Sequence, residues 1–300
     1  MADKAPAKDK APAKDKAPAK GKGPGGKPDI ATLGGLVLAV AAIVGGLVLE
    51  GGSLKDISQV TAAFIVLGGT VGAVMVTTPV SVLIGAVKKL PQVFIDNSQS
   101  MTAVLEEIIQ YATKARKSGI VSLEQDADGI KNPFLKKALN LAIDGMELKE
   151  LRKMMELEIS VEEQHTAAEC KVYADAGGYA PTIGIIGAVL GLIQVMKNLA
   201  DIAEVGRGIG VAFVATVYGI GVANVFFLPA GAKIKARLHR SIQMQELILE
   251  GVSAIVEGLN PKLLRSKLEV YARHEAGAKA AKPAKAKAPA AAPKPAPAKG

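Results

Sequence analysis

Of the 300 residues 49% are hydrophobic, but only 4% are aromatic and none is tryptophan, so Ala, Val, Ile, Leu and Gly carry the apolar content, as in helices packed closely in lipid. The net charge of +9 belongs to the ends: residues 1–29 hold eight Lys against four Asp, residues 276–300 hold six Lys and no acid, and 30–275 is left at −1. That basicity says little about what the core binds, and no nucleic-acid partner is expected. A single cysteine, Cys170, and three dispersed histidines (His165, His239, His274) exclude a disulfide framework and a Cys/His zinc site, so no metal is expected and the histidines read as solvated or helix-surface groups.

The chain opens with DKAPAK three times in tandem (3–8, 9–14, 15–20) and a Gly/Pro-rich hinge at 21–28. Alternating Lys, Ala and Pro cannot bury a core, so 1–29 reads as a disordered arm, and 276–300 as a tail of the same character. Either arm serves as a solvated spacer or is attracted to anionic headgroups. Between them lie four stretches long and apolar enough to span a bilayer, near 30–49, 60–84, 177–200 and 209–231. Within them the only charge is Lys197, near an end from which it can snorkel. The long arm before the first stretch and the second span soon after it argue against a cleaved signal peptide.

Lys and Arg set the orientation. The turn after the first span has Lys55 alone and the turn after the third Arg207 alone, whereas Lys88 and Lys89 follow the second span and Lys233, Lys235, Arg237 and Arg240 the fourth. Both termini and the central segment are therefore expected in the cytoplasm. In that segment Leu105, Ile108, Ile109 and Ala112 recur at helical spacing, Asn132-Pro133 breaks the next run, and Leu148, Leu151, Met155 and Ile159 continue toward the third span. The reading is an all-α polytopic membrane protein. It divides into transmembrane hairpins 30–84 and 177–231, a cytoplasmic helical domain 85–176 between spans two and three, and a C-terminal cytoplasmic helix 232–275.

No P-loop, Gly-x-Ser-x-Gly elbow or metal cluster is present, and Gly206-Arg207-Gly208-Ile209-Gly210 sits in a membrane turn, so no enzyme and no cofactor is expected. Gly68 and Gly72, and Gly184, Gly187 and Gly191, allow close helix approach, either within the chain or between copies around a centre. The spans contain no acid, the usual membrane proton carrier, yet the last two carry Thr182, Thr216, Tyr218 and Asn224. These polar groups either bond backbone one turn back or line a path whose ionisable group a partner chain supplies.

The stretch GGYAPTIGIIGAVLGLIQVMKNLADIAEVGRGIGVAFVATVYGIGVANVFFLP (177–229) closely resembles the MotA/PomA family of flagellar motor stator subunits, part of the wider MotA/TolQ/ExbB proton channel family. The likeness extends over about 30–275. ExbB and TolQ chains have three spans, one of them before the cytoplasmic domain, so the hairpin at 30–84 favours MotA.

The resemblance implies a homopentamer in the bacterial inner membrane around a MotB-like partner that carries the ion-binding Asp. It gives Pro181 and Pro229 the family's span-three and span-four prolines, expected to bend their helices and couple protonation to the cytoplasmic domain. KARKSGIVSLEQD (114–126) matches the family's rotor-facing motif, with Arg116 and Glu124 as the charged pair that meets the rotor protein FliG. Sodium-type members have two consecutive threonines where this chain has Ala215-Thr216, so proton coupling is expected, with sodium as the other possibility. An ExbB/TolQ-like or gliding-motor subunit is the alternative function.

Overall fold

The computed structural model describes residues 26–280; the DKAPAK repeats and most of the C-terminal tail lie outside them. Helix α1 (Ile30–Leu49) is capped by Asp29, whose carboxylate accepts the Thr32 N–H and fills one of the orphan donors of the first turn. No residue of α1 is buried, and Val37 and Leu38 are 67% and 71% exposed, a surface suited to lipid or to another chain. Helix α2 (Val60–Thr77) contains a π-helical turn at Phe64–Gly68. It stops well short of residue 84, where the apolar run ends, because Thr78 turns extended ahead of Pro79 and α3 (Val80–Lys89) starts afresh.

Beyond a single turn at Pro91–Phe94, Ile95–Asp96 pairs antiparallel with Lys27–Pro28, a two-residue clasp that the helical pattern did not foretell. Helix α4 (Met101–Ser118) buries Leu105, Ile108 and Ala112. Asn132-Pro133 begins α5 (Pro133–Ile143), with the Asn132 side chain accepting from the N–H groups of Phe134 and Leu135. Helix α6 (Leu148–Lys197) is 50 residues long and α7 (Ile202–Val256) is 55. At 1.5 Å per residue they are about 75 and 83 Å long, more than twice a hydrocarbon core. After the Asp201-capped turn, α7 continues without a break past Pro229 to Val256: a π-helical turn at Ala223–Phe227 precedes the proline and accommodates the missing donor. Helix α8 (Pro261–Ala280) completes the order.

The largest core joins α4, α5, the start of α6, the end of α7 and α8: Leu105, Leu139, Leu151, Met155, Leu247, Ile248, Leu264 and Leu268 are all at most 2% exposed and belong to one cluster. The segment after span four is therefore part of the same helical unit as the segment before span three. Glu250 stitches this unit, paired with Arg152 at 2.8 Å and with Lys267. Burial raises its carboxyl pKa, but the bonds from Lys267 and Arg152 outweigh it and hold the group below its ordinary value.

Asp29 ties α1 to α7, lying 2.5 Å from Lys233 Nζ and 3.1 Å from Arg237 Nη2, while Arg237 also donates to the Ile95 carbonyl. Burial raises the Asp29 pKa, but bonds from Lys233, the Thr32 N–H and Arg237 bring it to about 2. Relative to an unperturbed Asp this corresponds to about 2 kcal/mol, fully present above about pH 4 and lost as the pH falls toward 2. Asp29→Asn is expected to lower the melting temperature of the detergent-purified protein at pH 7 and to flatten its pH dependence between 4 and 2. An unchanged melt at pH 7 would remove this clasp from the account.

Candidate functional site

Helices α6 and α7 approach so closely that the glycines along their contact have no room for a side chain. A Cβ on Gly184 would lie 2.8 Å from the Ala215 carbonyl oxygen, one on Gly187 2.8 Å from the Ala215 Cβ, and one on Gly191 2.9 Å from Ala212 N and from the Gly208 carbonyl oxygen. The opposing helix answers with Gly208 and Gly219; a Cβ on Gly219 would sit 2.5 Å from the Ala180 carbonyl oxygen. Gly219 was not singled out in the sequence, and Gly208 was read with Gly206–Gly210 as a turn, whereas that segment lies inside α7 and Gly208, Ala212, Ala215 and Gly219 form a small-residue row at i, i+4, i+7, i+11. Gly184, Gly187 and Gly191 thus serve packing within the chain. Gly68 and Gly72 do not: nothing lies within 4 Å of where their Cβ atoms would be.

This contact fixes where the polar groups go. Thr182 is two residues from both Ala180 and Gly184, on the side of α6 turned away from α7; it is exposed, and its hydroxyl donates to the Tyr179 carbonyl. Thr216 is half-buried and donates to the Ala212 carbonyl; Asn224 is exposed and donates to the Ile220 carbonyl. Tyr218 parts from this group. Its hydroxyl donates to the Ile57 carbonyl and accepts the Gln59 N–H at 3.3 Å, pinning the start of α2 to α7, where Ala62 and Val66 pack with Val214 and Ala215. Thr216 lies on the flank of α7 opposite Tyr218, away from α2, and Asn224 lines a groove shared with Thr32 and Gly35 of α1. No Thr182–Thr216 hydrogen bond forms within the chain, and none of these exposed positions is ionisable. Pro181 sits inside α6 without ending it.

Arg116 and Glu124 occupy one corner of the helical unit. Helix α4 ends after Ser118 because Gly119 takes φ +81°, a 3₁₀ turn spans Ile120–Leu123, and Glu124 opens the next helical turn. Fully buried Leu123 anchors the corner, and Lys114 Nζ, 2.6 Å from Asp126 Oδ2, bridges its two arms. Arg116 and Glu124 are exposed and have no ion-pair partner among the described residues.

Glu169, unnoticed in the sequence, is 3% exposed on α6, with Lys89 Nζ 2.8 Å from Oε2 and His165 Nδ1 3.4 Å from Oε1. Lys89 also donates to Thr166, and Gly85 leaves the space the carboxylate fills. The cluster locks α3 onto α6; an acid one turn after a histidine was the available signal.

Gly219→Ala is expected to lower the melting temperature of the purified chain, followed by circular dichroism, by forcing α6 and α7 apart at about 1–3 kcal/mol. Gly72→Ala, facing open space, should stay within about 0.5 kcal/mol of the parent. Equal melts would show that the glycine row does not set the helix separation.

The comparisons with known proteins agree with this architecture. The MotA/TolQ/ExbB proton channel family matches residues 126–247, and the Motility protein A N-terminal family matches 33–119. Motility protein A of Bacillus subtilis is 33% identical over 248 residues, 81% of this chain and 90% of that protein. Motility protein A of Helicobacter pylori is 35% identical over 243 residues, 81% of this chain and 95% of that protein. Among solved structures, the C. jejuni MotAB structure superposes with a TM-score of 0.78 at 33% identity, over 81% of this chain and 95% of the other. The chain belongs to the MotA/TolQ/ExbB proton channel family, as a flagellar motor stator subunit of the MotA kind.

Proposed function

We propose that this subunit supplies the wall of a proton channel and the lever that converts ion passage into torque, while a MotB-like partner supplies the carrier Asp inside the membrane. The observation that carries the reading is the arrangement of hydroxyl groups on a surface without ionisable residues. Thr182 faces away from α7 and Thr216 away from α2, so one chain presents its hydroxyls in two directions. A wall that uses both is completed by a neighbouring copy, which supports a homo-oligomer; the family likeness makes it a pentamer around the partner.

The lever is built from continuity. Helices α6 and α7 pass from the small-residue contact into the soluble core without a break. A change in tilt near Pro181, or at the π-helical turn before Pro229, is thereby passed to Leu151 and Ile255, which share a core with Leu123 at the Arg116–Glu124 corner. That corner engages FliG through exposed charges, weak singly and screened by salt, which suits repeated attachment and release. Orientation follows from the basic edge: Lys88, Lys89, Lys233, Lys235, Arg237 and Arg240 lie toward the soluble unit, which with both termini is cytoplasmic. Ala215 is fully buried against Gly187, leaving Thr216 as the hydroxyl of this pair nearest the path, and the carried ion is a proton.

Reversing the corner, Arg116→Glu with Glu124→Lys, is expected to abolish most swimming in soft agar while membrane abundance and proton leak with the partner stay at parent levels. Compensating charge reversals on the rotor protein should restore part of the motility. Parent-level swimming by the double variant would exclude the corner from rotor contact.

A further inference from the structure

Beside Arg116 the soluble unit holds an apolar pocket of about 350 Å³. Three helix ends meet there: Ile120 follows α4, Met146 follows α5, and Val256 and Leu259 flank the end of α7. Buried Ala112, Ala142 and Ile255 form its floor, and Arg116 is the one polar residue in the lining. An apolar cavity of about 150 Å³ already admits benzene, so this one has room for a branched or aromatic side chain. Its walls are fixed in advance. The Met146 N–H donates to the Leu141 carbonyl and the Leu259 N–H to the Ala254 carbonyl, closing α5 and α7 through Gly145 and Gly258 at φ +79° and +68°. A Cβ at either glycine would meet nothing within 4 Å, so the mouth stands open.

We propose that this pocket seats an apolar side chain from an amphipathic helix of the rotor protein, with a carboxylate one turn away on that helix paired to Arg116. The inference rests on the rotor contact proposed above and adds what anchors it. Charge complementarity selects the occupant. Arg116 is exposed at the rim without an ion pair among the described residues, and a spacing of three or four residues on a helix sets an acid and an apolar residue about 5–6 Å apart on one face. Val121, 62% exposed on the turn between Arg116 and Glu124, extends the apolar surface at the same corner. Exposed charges steer an encounter but are screened by salt, whereas a desolvated anchor in a well-packed pocket carries most of a contact's energy. Val256 is the last residue of α7, so the anchor sits at the tip of the lever and a change in tilt moves the seat directly.

The test is made in cells that assemble the full chain with its partner subunit and a rotor. The photoreactive residue p-benzoylphenylalanine replaces either Val121 at the corner or Met146 in the pocket wall, and adducts of the rotor protein are measured after irradiation. Both positions should capture the rotor protein. Ala115 lines the pocket from α4, and Ala115→Leu, which fills it, should lower both swimming and capture from Val121 about tenfold at parent membrane abundance, the weight of one lost anchor. Ala115→Ser leaves the space open and should restore both. Capture from Val121 without capture from Met146, or parent-level swimming by Ala115→Leu, would overturn the pocket and leave the rotor contact of the corner standing. Capture of a second copy of this chain at Met146 in place of the rotor protein would also overturn it. No rotor capture from either position would overturn the rotor contact and the pocket together.

Discussion

Everything else in the molecule is arranged around the small-residue contact between α6 and α7. Gly184, Gly191 and Gly219 meet backbone of the facing helix, Gly187 meets the Ala215 methyl and Gly208 the Val195 side chain, and in lipid such a contact is favoured by dispersion and close fit because no hydrophobic effect drives helices together. With one side of each helix used in this way, only the remaining sides are free. On α7, Tyr218 and Val214 turn to α2, Asn224 lines a groove against α1, and Thr216 is left for the other flank. The direction in which these polar groups face is thus a by-product of where the glycines are.

The same contact makes two long helices into one stiff pair. They leave the membrane still helical and end in the core formed with α4, α5 and α8, so the membrane and soluble parts share structural members. Hairpin one is attached differently, by polar locks. Asp29 joins α1 to Lys233 and Arg237, Lys89 joins α3 to Glu169, and Tyr218 joins the start of α2 to α7. Such locks hold register at a few points and leave the rest of α1 unburied, consistent with a peripheral helix that faces lipid or another chain.

Much of this was legible in the sequence where a residue's role is local. Apolar length marked the four spans, helical spacing marked the buried faces of α4 and α6, and Asn132-Pro133 was read as a break, which the structure uses as the cap of α5. What escaped depends on distant partners. Gly208 and Gly219 matter because of what lies across from them, and the turn-like look of Gly206–Gly210 concealed this. Glu169 is an ordinary acid in the sequence until Gly85 and Lys89 are seen to enclose it. Tyr218 reads as one more polar group in span four, and only the fold shows that it points to Ile57. The family's proline pattern located Pro229 but not the π-helical turn that lets the helix continue past it. Arg116 and Glu124 show the reverse case: the structure makes them exposed charges on a rigid corner, and only the family motif gives that corner a partner.

The most direct test of the account is the rotation of single motors in tethered cells lacking this chain and any other stator, while the intact gene is re-expressed from an inducible promoter. The account predicts complete but motionless flagella whose torque returns in discrete steps as copies join the motor. Rotation at full torque before induction, with no change after it, would contradict it.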